Sequence, residues 1–440
     1  MSIDTTTDAP VFVSGRRQLL RDDPSTGDFA VHRSVFTDPA LYEAERELIF
    51  NRCWLYAGHV SEVPDVGDYV TRTLLGRPVI LARDRHGELR VFFNTCRHRG
   101  ALVCREAKGN DTMFTCFYHK WQYRNSGELL GVPGKATFPD SFDVGDFGLV
   151  SPAKVEVFRD FVFVSFSSDT PPLLDYLAGA ADFIERVADQ DLGGEMEIVD
   201  GAHMYSMRCN WKLVVENSID GYHGFPVHAT YFQFIGSQGV DLSVGLDGVA
   251  RDLGNGHACL DYLAPFGRTV AKTTAPMSDR AKELIEAKRK LADEVLGEER
   301  AHLVADRSKN IFVYPNLLII DAASLQVRVL EPVRTDYTDV NSWLLAPKGE
   351  DRELRRQRIE GYQEFLGPGG LATPDDCEAL ETCQLGFESV REVEWNLVNK
   401  GYGTGGPDAV DNEVQIRAFW RQWHTQMTRS TIASNGGVSR

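Results

Sequence analysis

The segment from Asn94 to Trp121 reads NTCRHRGALVCREAKGNDTMFTCFYHKW and contains two short loops that each offer one thiol and one imidazole. The first loop is Cys96-Arg-His98, and the second, after seventeen intervening residues, is Cys116-Phe-Tyr-His119. A single loop of either kind is common by chance and is usually structural, whereas a pair at this separation is not. The pair therefore predicts a metal centre around which the first part of the chain folds.

The order of the ligands decides between two kinds of metal centre. Zinc also accepts two cysteines and two histidines, but its usual motifs place both cysteines in one half and both histidines in the other. The mixed order here suits a Rieske [2Fe-2S] cluster, in which two cysteines hold one iron and two histidines hold the other. Gly100 and Gly109 supply flexible backbone around the loops. Cys104 lies between the loops without a partner at ligand spacing, so we expect it to pack rather than to ligate.

Trp121 makes the comparison with a known family specific. At this point the sequence resembles the Rieske domain of the aromatic ring-hydroxylating oxygenases, whose second loop is usually followed by a tryptophan two positions after the histidine. The resemblance implies that Cys96, His98, Cys116 and His119 hold the cluster.

Length and composition limit the remaining possibilities. The chain has 440 residues, which is enough for two or three domains with a buried core. A net charge of −17 argues against nucleic acid or an anionic membrane as a partner. The eight cysteines are scattered rather than arranged as a disulfide framework, and we expect those outside the cluster to be reduced thiols. We find neither a signal peptide nor a membrane span, and we expect a cytoplasmic protein.

The hydrophobic pattern divides the chain into two kinds of region. Residues 38–50 predict an amphipathic helix, and residues 71–93 and 153–166 then predict antiparallel strands with turns at 84–87 and 159–160. Later patterns predict, in order, a helix at 173–188, a strand at 196–207, helices at 211–223 and 278–306, strands within 311–347, and helices at 353–366 and 412–427. In the 278–306 helix we expect Leu284, Ile285, Leu291 and Val295 on the apolar side.

A second ligand set begins in residues 210–228, NWKLVVENSIDGYHGFPVH. On an uninterrupted helix, His223 and His228 would point about 140° apart, which is poor geometry for one metal. Pro226 is expected to end the helix just past His223 and let His228 approach the same point. Asp220, three residues before His223, can accept the N–H of that imidazole.

A carboxylate for the same site is available in residues 367–387, GPGGLATPDDCEALETCQLGF. We expect Thr373 to cap a helix that has Asp375 and Asp376 in its first turn, where both would also favour the helix dipole. Two histidines and one carboxylate form the facial triad of non-haem Fe(II) oxygenases, which leaves positions open for dioxygen.

The resemblance extends to this second site. Asp220, His223 and His228 are similar to the Asp-x₂-His-x₄-His motif of the ring-hydroxylating oxygenase α subunits. In that family the third ligand is commonly the second aspartate of a pair, which implies Asp376, with Asp375 as the rival. Asn217 resembles a family position near the iron, although its distance from Asp220 is three residues where some members have four. The resemblance covers residues 30–430 and is nearest to the branch that handles benzoate-type acids.

The resemblance implies an α+β fold in which a small antiparallel Rieske domain precedes a larger catalytic domain with an antiparallel sheet flanked by helices. We expect an N-terminal segment at 1–49 that packs on the catalytic domain, the Rieske domain at 50–165 and the catalytic domain at 166–440. The implied cofactors are one [2Fe-2S] cluster and one mononuclear Fe(II), with O₂ as co-substrate. The implied reaction is cis-dihydroxylation of an aromatic carboxylate, and Asp220 would carry electrons between His119 of one subunit and His223 of the next.

The chain shows no βαβ unit that carries a GxGxxG fingerprint and no plant-type ferredoxin motif, so electrons from NAD(P)H are expected through a separate reductase, with or without a ferredoxin. The resemblance also implies a small β subunit and an α₃ or α₃β₃ assembly. Three alternatives remain open at this point: a Rieske monooxygenase that hydroxylates a hydroxybenzoate or removes an O-methyl group, an electron-transfer Rieske protein, and a zinc-binding interaction module.

Overall fold

The structure of the chain is a computed structural model, and it describes residues 18–244, 247–404 and 408–434, with the side chains of residue 244 and of residues 429–434 left out. Residues 1–17 of the expected N-terminal segment lie outside the described residues. Within these ranges, no helix combines the length and the hydropathy that a membrane span needs.

The strands are numbered in chain order: β1 (Leu20–Asp23), β2 (Asp28–His32), β3 (Leu55–His59), β4 (Asp68–Leu74), β5 (Arg77–Arg83), β6 (Leu89–Phe93), β7 (Lys108–Asn110), β8 (Met113–Thr115), β9 (Gln122–Arg124), β10 (Leu129–Gly131), β11 (Lys154–Phe158), β12 (Phe161–Ser165), β13 (Met196–Met207), β14 (Asp247–Gly254), β15 (His257–Leu263), β16 (Ser308–Val313), β17 (Leu317–Asp321), β18 (Leu325–Arg334), β19 (Tyr337–Pro347) and β20 (Trp395–Leu397).

The α-helices are α1 (Ser34–Thr37), α2 (Pro39–Glu45), α3 (Leu173–Leu177), α4 (Ala180–Ala188), α5 (Trp211–Ser218), α6 (Gly224–Val227), α7 (Ala229–Ser237), α8 (Asp279–Leu296), α9 (Glu298–Ala301), α10 (Arg352–Gly361), α11 (Thr373–Gly386) and α12 (Val414–Ser434). Single π-helical turns extend α2, α9 and α10, at Arg46–Phe50, His302–Asp306 and Tyr362–Leu366.

The first part of the chain forms small antiparallel sheets. One sheet has the order β6-β5-β4-β7, a second has β10-β9-β8, and a third joins β11 and β12 to β3. The β11–β12 hairpin turns at Arg159 and Asp160, which both have positive φ, as the two central residues of a type I′ turn require. These sheets confirm the strands expected between residues 71 and 166.

The second part is built on one seven-stranded antiparallel sheet. Strands β14 to β19 follow one another as a meander, and β13 lies beside β19, which gives the order β13-β19-β18-β17-β16-β15-β14. Side chains alternate between the two faces of such a sheet, so one face can pack on helices while the other meets the first domain. The expected α+β architecture is confirmed.

The helix before the first domain packs on the second domain through a buried carboxylate. Glu45 at the end of α2 is fully buried and accepts hydrogen bonds from the indole N–H groups of Trp211 and Trp423 and from the Lys212 ammonium, at 2.8, 2.7 and 2.6 Å. These three donors satisfy the charge that burial would otherwise make costly.

Several local expectations were wrong. The helix at 173–188 is two helices, α3 and α4, broken where Ala178 has a positive φ. Strands β14 and β15 were not expected, because the alternation of apolar and polar residues in 247–263 is weak. In α8, Ile285 is buried as expected, but Leu291 and Val295 are 45% and 48% exposed, because Ala281 and Ala292 lie on the packed side instead.

Candidate metal centres

The four cysteine and histidine side chains of the first site converge at the tips of two loops. Cys96 and His98 follow β6, and Cys116 and His119 lie in the connection between β8 and β9. Both thiols are buried, whereas His98 is exposed, and the rings of His98 and His119 lie 4.5 Å apart. The donors therefore separate into a buried sulfur pair and a surface imidazole pair, as a Rieske cluster requires.

Neighbouring groups orient these ligands. The Arg97 amide donates to the Tyr123 hydroxyl at 3.0 Å, which leaves the phenolic O–H to donate to the Cys96 sulfur at 3.2 Å. Burial raises the pKa of the Cys116 thiol, while the amides of Tyr118 and His119 favour its thiolate. The Trp121 ring stacks on His98 with an interplanar angle of 4°. Such contacts hold the ligands and tune the potential of a bound cluster.

Cys104, which was expected to pack, lies buried in the small core under the loops together with Phe114 and Trp121. Gly100 has a φ of +74° in the turn after His98. A Cβ on Gly109 would lie 2.8 Å from the Tyr69 ring, so the glycine gives that ring room where β7 pairs with β4.

The second site lies where α5, α6 and α11 meet. Helix α5 begins at Trp211, after Asn210, whose side chain accepts a hydrogen bond from the Lys212 amide, and it ends at Ser218. The chain then bends through 219–222 and brings His223 to the start of α6 and His228 to its end. The carboxylate comes from Asp376 in the first turn of α11.

The ligand atoms of these three residues meet at one point. The Asp376 Oδ1 atom lies 3.5 Å from His223 Nε2 and 3.4 Å from His228 Nε2, and the two imidazole rings are at 78° to each other. Within the described part of the chain, His223, His228 and Asp376 are the group of metal-ligating residue types whose ligand atoms all lie within 4.8 Å of one another.

The route by which the chain reaches this geometry differs from the expectation. The helix expected at 211–223 ends at Ser218, and Pro226 lies inside the four-residue helix α6 instead of ending a longer one. The bend between Ser218 and His223 therefore brings the histidines together. Thr373 does not cap α11 either, because its hydroxyl donates to the Leu366 carbonyl and the helix begins at Thr373 itself.

Asp220 and Asn217 hold the ligands from the side. The Asp220 carboxylate accepts the Tyr222 amide at 2.7 Å and lies 3.1 Å from His223 Nδ1, which turns His223 Nε2 toward Asp376. The Asn217 amide donates to Asp376 Oδ1 at 3.0 Å. Asp375, the rival ligand, lies outside the group, with its Oδ2 3.6 Å from the outer nitrogen Nδ1 of His228.

The electrostatics fit a cation at this point. Burial lowers the pKa of His223, but hydrogen bonds to Asp220 and Asp376 outweigh it and raise the value to about 10. The same histidines hold the pKa of Asp376 below its usual range against the effect of burial. A divalent metal bound by His223, His228 and Asp376 would supply positive charge beside this buried carboxylate.

Aromatic side chains form the wall beside the metal ligands, and sequence reasoning did not identify them. The Phe365 ring lies 6.0 Å from the His228 ring and 4.5 Å from Tyr231, and Phe232 and Phe266 extend the same cluster. These rings come from α7, from the π-helical turn and from the loop after β15, so no local spacing connects them. A wall of this kind excludes water and suits a flat apolar ligand.

A separate cavity of about 540 Å³ lies on the face of the large sheet that is opposite to the metal ligands. Met204, Glu331 and Asn341 line it together with Thr73 and Leu75 of the first domain. Residues of both domains line this cavity and none of the metal-ligating residues does, so it belongs to the contact between the domains.

Comparison with known proteins identifies the two domains in which these sites lie. Residues 53–149 match the Rieske [2Fe-2S] domain, and residues 196–429 match the catalytic domain of the ring-hydroxylating alpha subunits. The chain is 36% identical to the anthranilate 1,2-dioxygenase large subunit of Acinetobacter baylyi, over 89% of this chain and 85% of that protein. It is 35% identical to the toluate 1,2-dioxygenase subunit alpha of Pseudomonas putida, over 90% and 87%.

Two further comparisons concern another relative and a solved structure. The chain is 33% identical to the 2-halobenzoate 1,2-dioxygenase large subunit of Burkholderia cepacia, over 90% of this chain and 86% of that protein. Its fold is similar to that of naphthalene 1,2-dioxygenase with indole bound in the active site, with a TM-score of 0.80, 26% identity and 94% of each chain covered.

Proposed function

Because this chain belongs to the family of ring-hydroxylating oxygenase α subunits, with a Rieske domain before the catalytic domain, we propose that it dihydroxylates a benzoate-type aromatic acid with O₂. The relatives named for anthranilate, 2-halobenzoate and toluate, at 33–36% identity, support an acid substrate. A relative named for naphthalene is 28% identical.

The observation that carries the proposal is the convergence of His223 Nε2, His228 Nε2 and one oxygen of Asp376 beside an aromatic wall. In our proposal these residues hold the mononuclear iron, and Cys96, His98, Cys116 and His119 hold the cluster. When bound, the cluster supplies single electrons and the Fe(II) supplies a site for O₂ activation.

The protein's own side chains contribute orientation. Asp220 accepts a hydrogen bond at His223 Nδ1 and thereby presents Nε2 to the metal. Asn217 fixes the orientation of the Asp376 carboxylate by donating to it, so both groups are held before a substrate arrives. The Phe365 cluster keeps bulk water away from the reacting ring.

The arrangement between subunits is part of the same proposal. Asp220 would connect His119 of one subunit with His223 of the next, in a trimer of α subunits or an α₃β₃ assembly. The exposed rings of Phe117 and Tyr118 beside His119, and of Tyr222 and Phe225 near Asp220, give both surfaces an apolar character that supports such a contact. The relatives' names as large subunits support a small β partner.

We further propose the division into a segment at 1–49, a Rieske domain at 50–165 and a catalytic domain at 166–440, with electrons from NAD(P)H delivered by a separate reductase. The packing of Glu45 against Trp211 and Trp423 supports assigning α2 to the catalytic domain rather than to the Rieske domain.

A single turnover without partner proteins tests the proposal. The iron-loaded, chemically reduced protein is mixed with ¹⁸O₂ and a panel of benzoates, hydroxybenzoates and neutral arenes, and products are read by mass. We expect an acid product that carries two labelled oxygen atoms. A product with one labelled oxygen atom would show that the protein is a monooxygenase and not a dioxygenase. Products from neutral arenes alone would refute the proposal of an acid substrate.

A further inference from the structure

Arg328 on β18 differs from every other buried arginine that the structure describes. Its side chain is 4% exposed, yet its guanidinium makes no hydrogen bond or ion pair with any described residue, and its Nε–H is enclosed without a partner. The other three buried arginines are bonded: Arg268 to Asp321, Arg358 to Glu350, and Arg417 to the carbonyls of Val398 and Lys400. A buried cation without a counter-ion is costly, so Arg328 is suited to bind an anionic ligand.

Strand pairing shows which side chains share a face of the sheet with Arg328. It pairs with Ser342 of β19, which pairs with His203 of β13, so the three side chains share one face. The Ser342 hydroxyl lies 3.2 Å from the Tyr362 hydroxyl at the start of the π-helical turn.

The same face contacts the chain that leads to Asp376. Gln326, two residues before Arg328, donates to the Leu366 carbonyl, and Thr373 at the start of α11 donates to the same oxygen. Phe365, which precedes Leu366, lies beside His228. The side chains of β18 that share this face with Arg328 therefore lie beneath the segment that connects the aromatic wall to the ligand helix, and we call this part of the sheet the floor.

A second unpartnered donor lies on this floor. The Tyr205 hydroxyl is enclosed and has no hydrogen-bond partner among the described residues. Tyr205 lies two residues after His203 on β13, so its side chain is on the face of the sheet that carries Arg328, and burial raises the pKa of the phenol to about 12, which keeps its O–H as a donor.

We propose that Arg328 and Tyr205 bind the carboxylate of the substrate, with the guanidinium and the phenolic O–H donating to its two oxygens. This proposal rests on the proposed function, and it assigns to two residues the preference for aromatic acids over neutral arenes. A carboxylate supplies the missing negative charge and the two acceptors that the two free donors require. The aromatic ring then lies between this floor and the ligands His223, His228 and Asp376.

Equilibrium binding to variants tests the assignment. Arg328→Met, Arg328→Lys, Tyr205→Phe and, as a control, Arg334→Met at the exposed end of the same strand are iron-loaded and reduced without oxygen. Calorimetry then measures the dissociation constants of a benzoate-type acid that the wild type oxygenates and of its neutral amide. We expect Arg328→Met to weaken acid binding about 100-fold and amide binding less than threefold. Arg328→Lys should recover part of the loss, Tyr205→Phe should cost the acid about tenfold, and Arg334→Met should change neither ligand.

The outcomes separate the possible failures. Unchanged acid binding in Arg328→Met, or an equal loss for acid and amide, would overturn the proposal. A wild type that oxygenates neutral arenes alone would instead show that the proposed acid substrate is wrong, before any variant is compared. The substrate-free melting temperature of Arg328→Met should equal or exceed that of the wild type, because the lost charge had no partner. If this variant does not fold, acid-selective losses in Arg328→Lys and Tyr205→Phe sustain the proposal, and their absence overturns it.

Discussion

The assignment of Asp376 over Asp375 as the iron ligand can be tested by counting iron. In an octahedral face with bonds of about 2.1 Å, ligand atoms lie about 3.0 Å apart. The Asp376 Oδ1 atom is 3.5 and 3.4 Å from the two Nε2 atoms, so contraction by about half an ångström completes the face. Asp375 faces the outer nitrogen of His228 and would need a different ring orientation to bind.

We therefore expect Asp376→Ala to contain two irons per chain in place of three, measured by chelation after acid release. Its visible Rieske spectrum should be unchanged, because the cluster ligands lie in two loops of the first domain and Asp376 lies in α11. The matched control Asp375→Ala should keep close to three irons, with an affinity for the mononuclear iron lower by about 10- to 100-fold at most. Three irons in Asp376→Ala, or two in Asp375→Ala under saturating iron, would refute the reasoning.

Three further changes test other parts of the structure. Asp220→Asn should keep both metals and lower steady-state turnover about 100-fold, and wild-type turnover in this variant would exclude Asp220 as the electron route. Burial raises the pKa of Glu331 to about 8, so the free energy of unfolding of the wild type should fall by up to about 1.4 kcal/mol per pH unit as the pH rises from roughly 4.5 to 8. In denaturant titrations, Glu331→Gln should remove this pH dependence. Equal pH profiles for the variant and the wild type would contradict the prediction. Glu45→Ala leaves the Lys212 ammonium buried without its carboxylate, so it should destabilise the fold by about 3–5 kcal/mol. The double variant that adds Lys212→Met should recover much of the lost melting temperature. If it does not, the unpaired charge is not the cause of the destabilisation.

The first metal site could be predicted because its information is local. Cys96 with His98, and Cys116 with His119, are close in sequence, and a loop of three or four residues leaves the two side chains few ways to diverge. The hairpin at Arg159 and Asp160 is predictable for the same reason. In both cases the spacing itself sets the geometry.

The structure brings the predicted residues of the second site together, but by a local route that the sequence did not predict. The sequence contains Pro226 as a clear helix breaker, yet α5 ends eight residues earlier, at Ser218. There the Ser218 hydroxyl donates to the Val214 carbonyl, and its own carbonyl accepts from Asn310 of β16. A contact with a strand about ninety positions away ends the helix, and no reading of residues 210–228 contains that contact.

The proposed role of Arg328 could not be predicted from the sequence, because the residue type alone does not indicate which arginine binds a substrate. The chain has 47 lysines and arginines, and strand β18 contains a second arginine, Arg334, which is exposed and paired with Asp336. What distinguishes Arg328 is the set of partners that it lacks, and that set depends on β13, β19, the π-helical turn and α11 together. Ligand residues of a metal can be recognised by their spacing, since the metal imposes it. A group that binds a substrate is recognised by an unsatisfied charge in a finished fold, which is why the substrate's carboxylate could be inferred only after the sheet and the helices were in place.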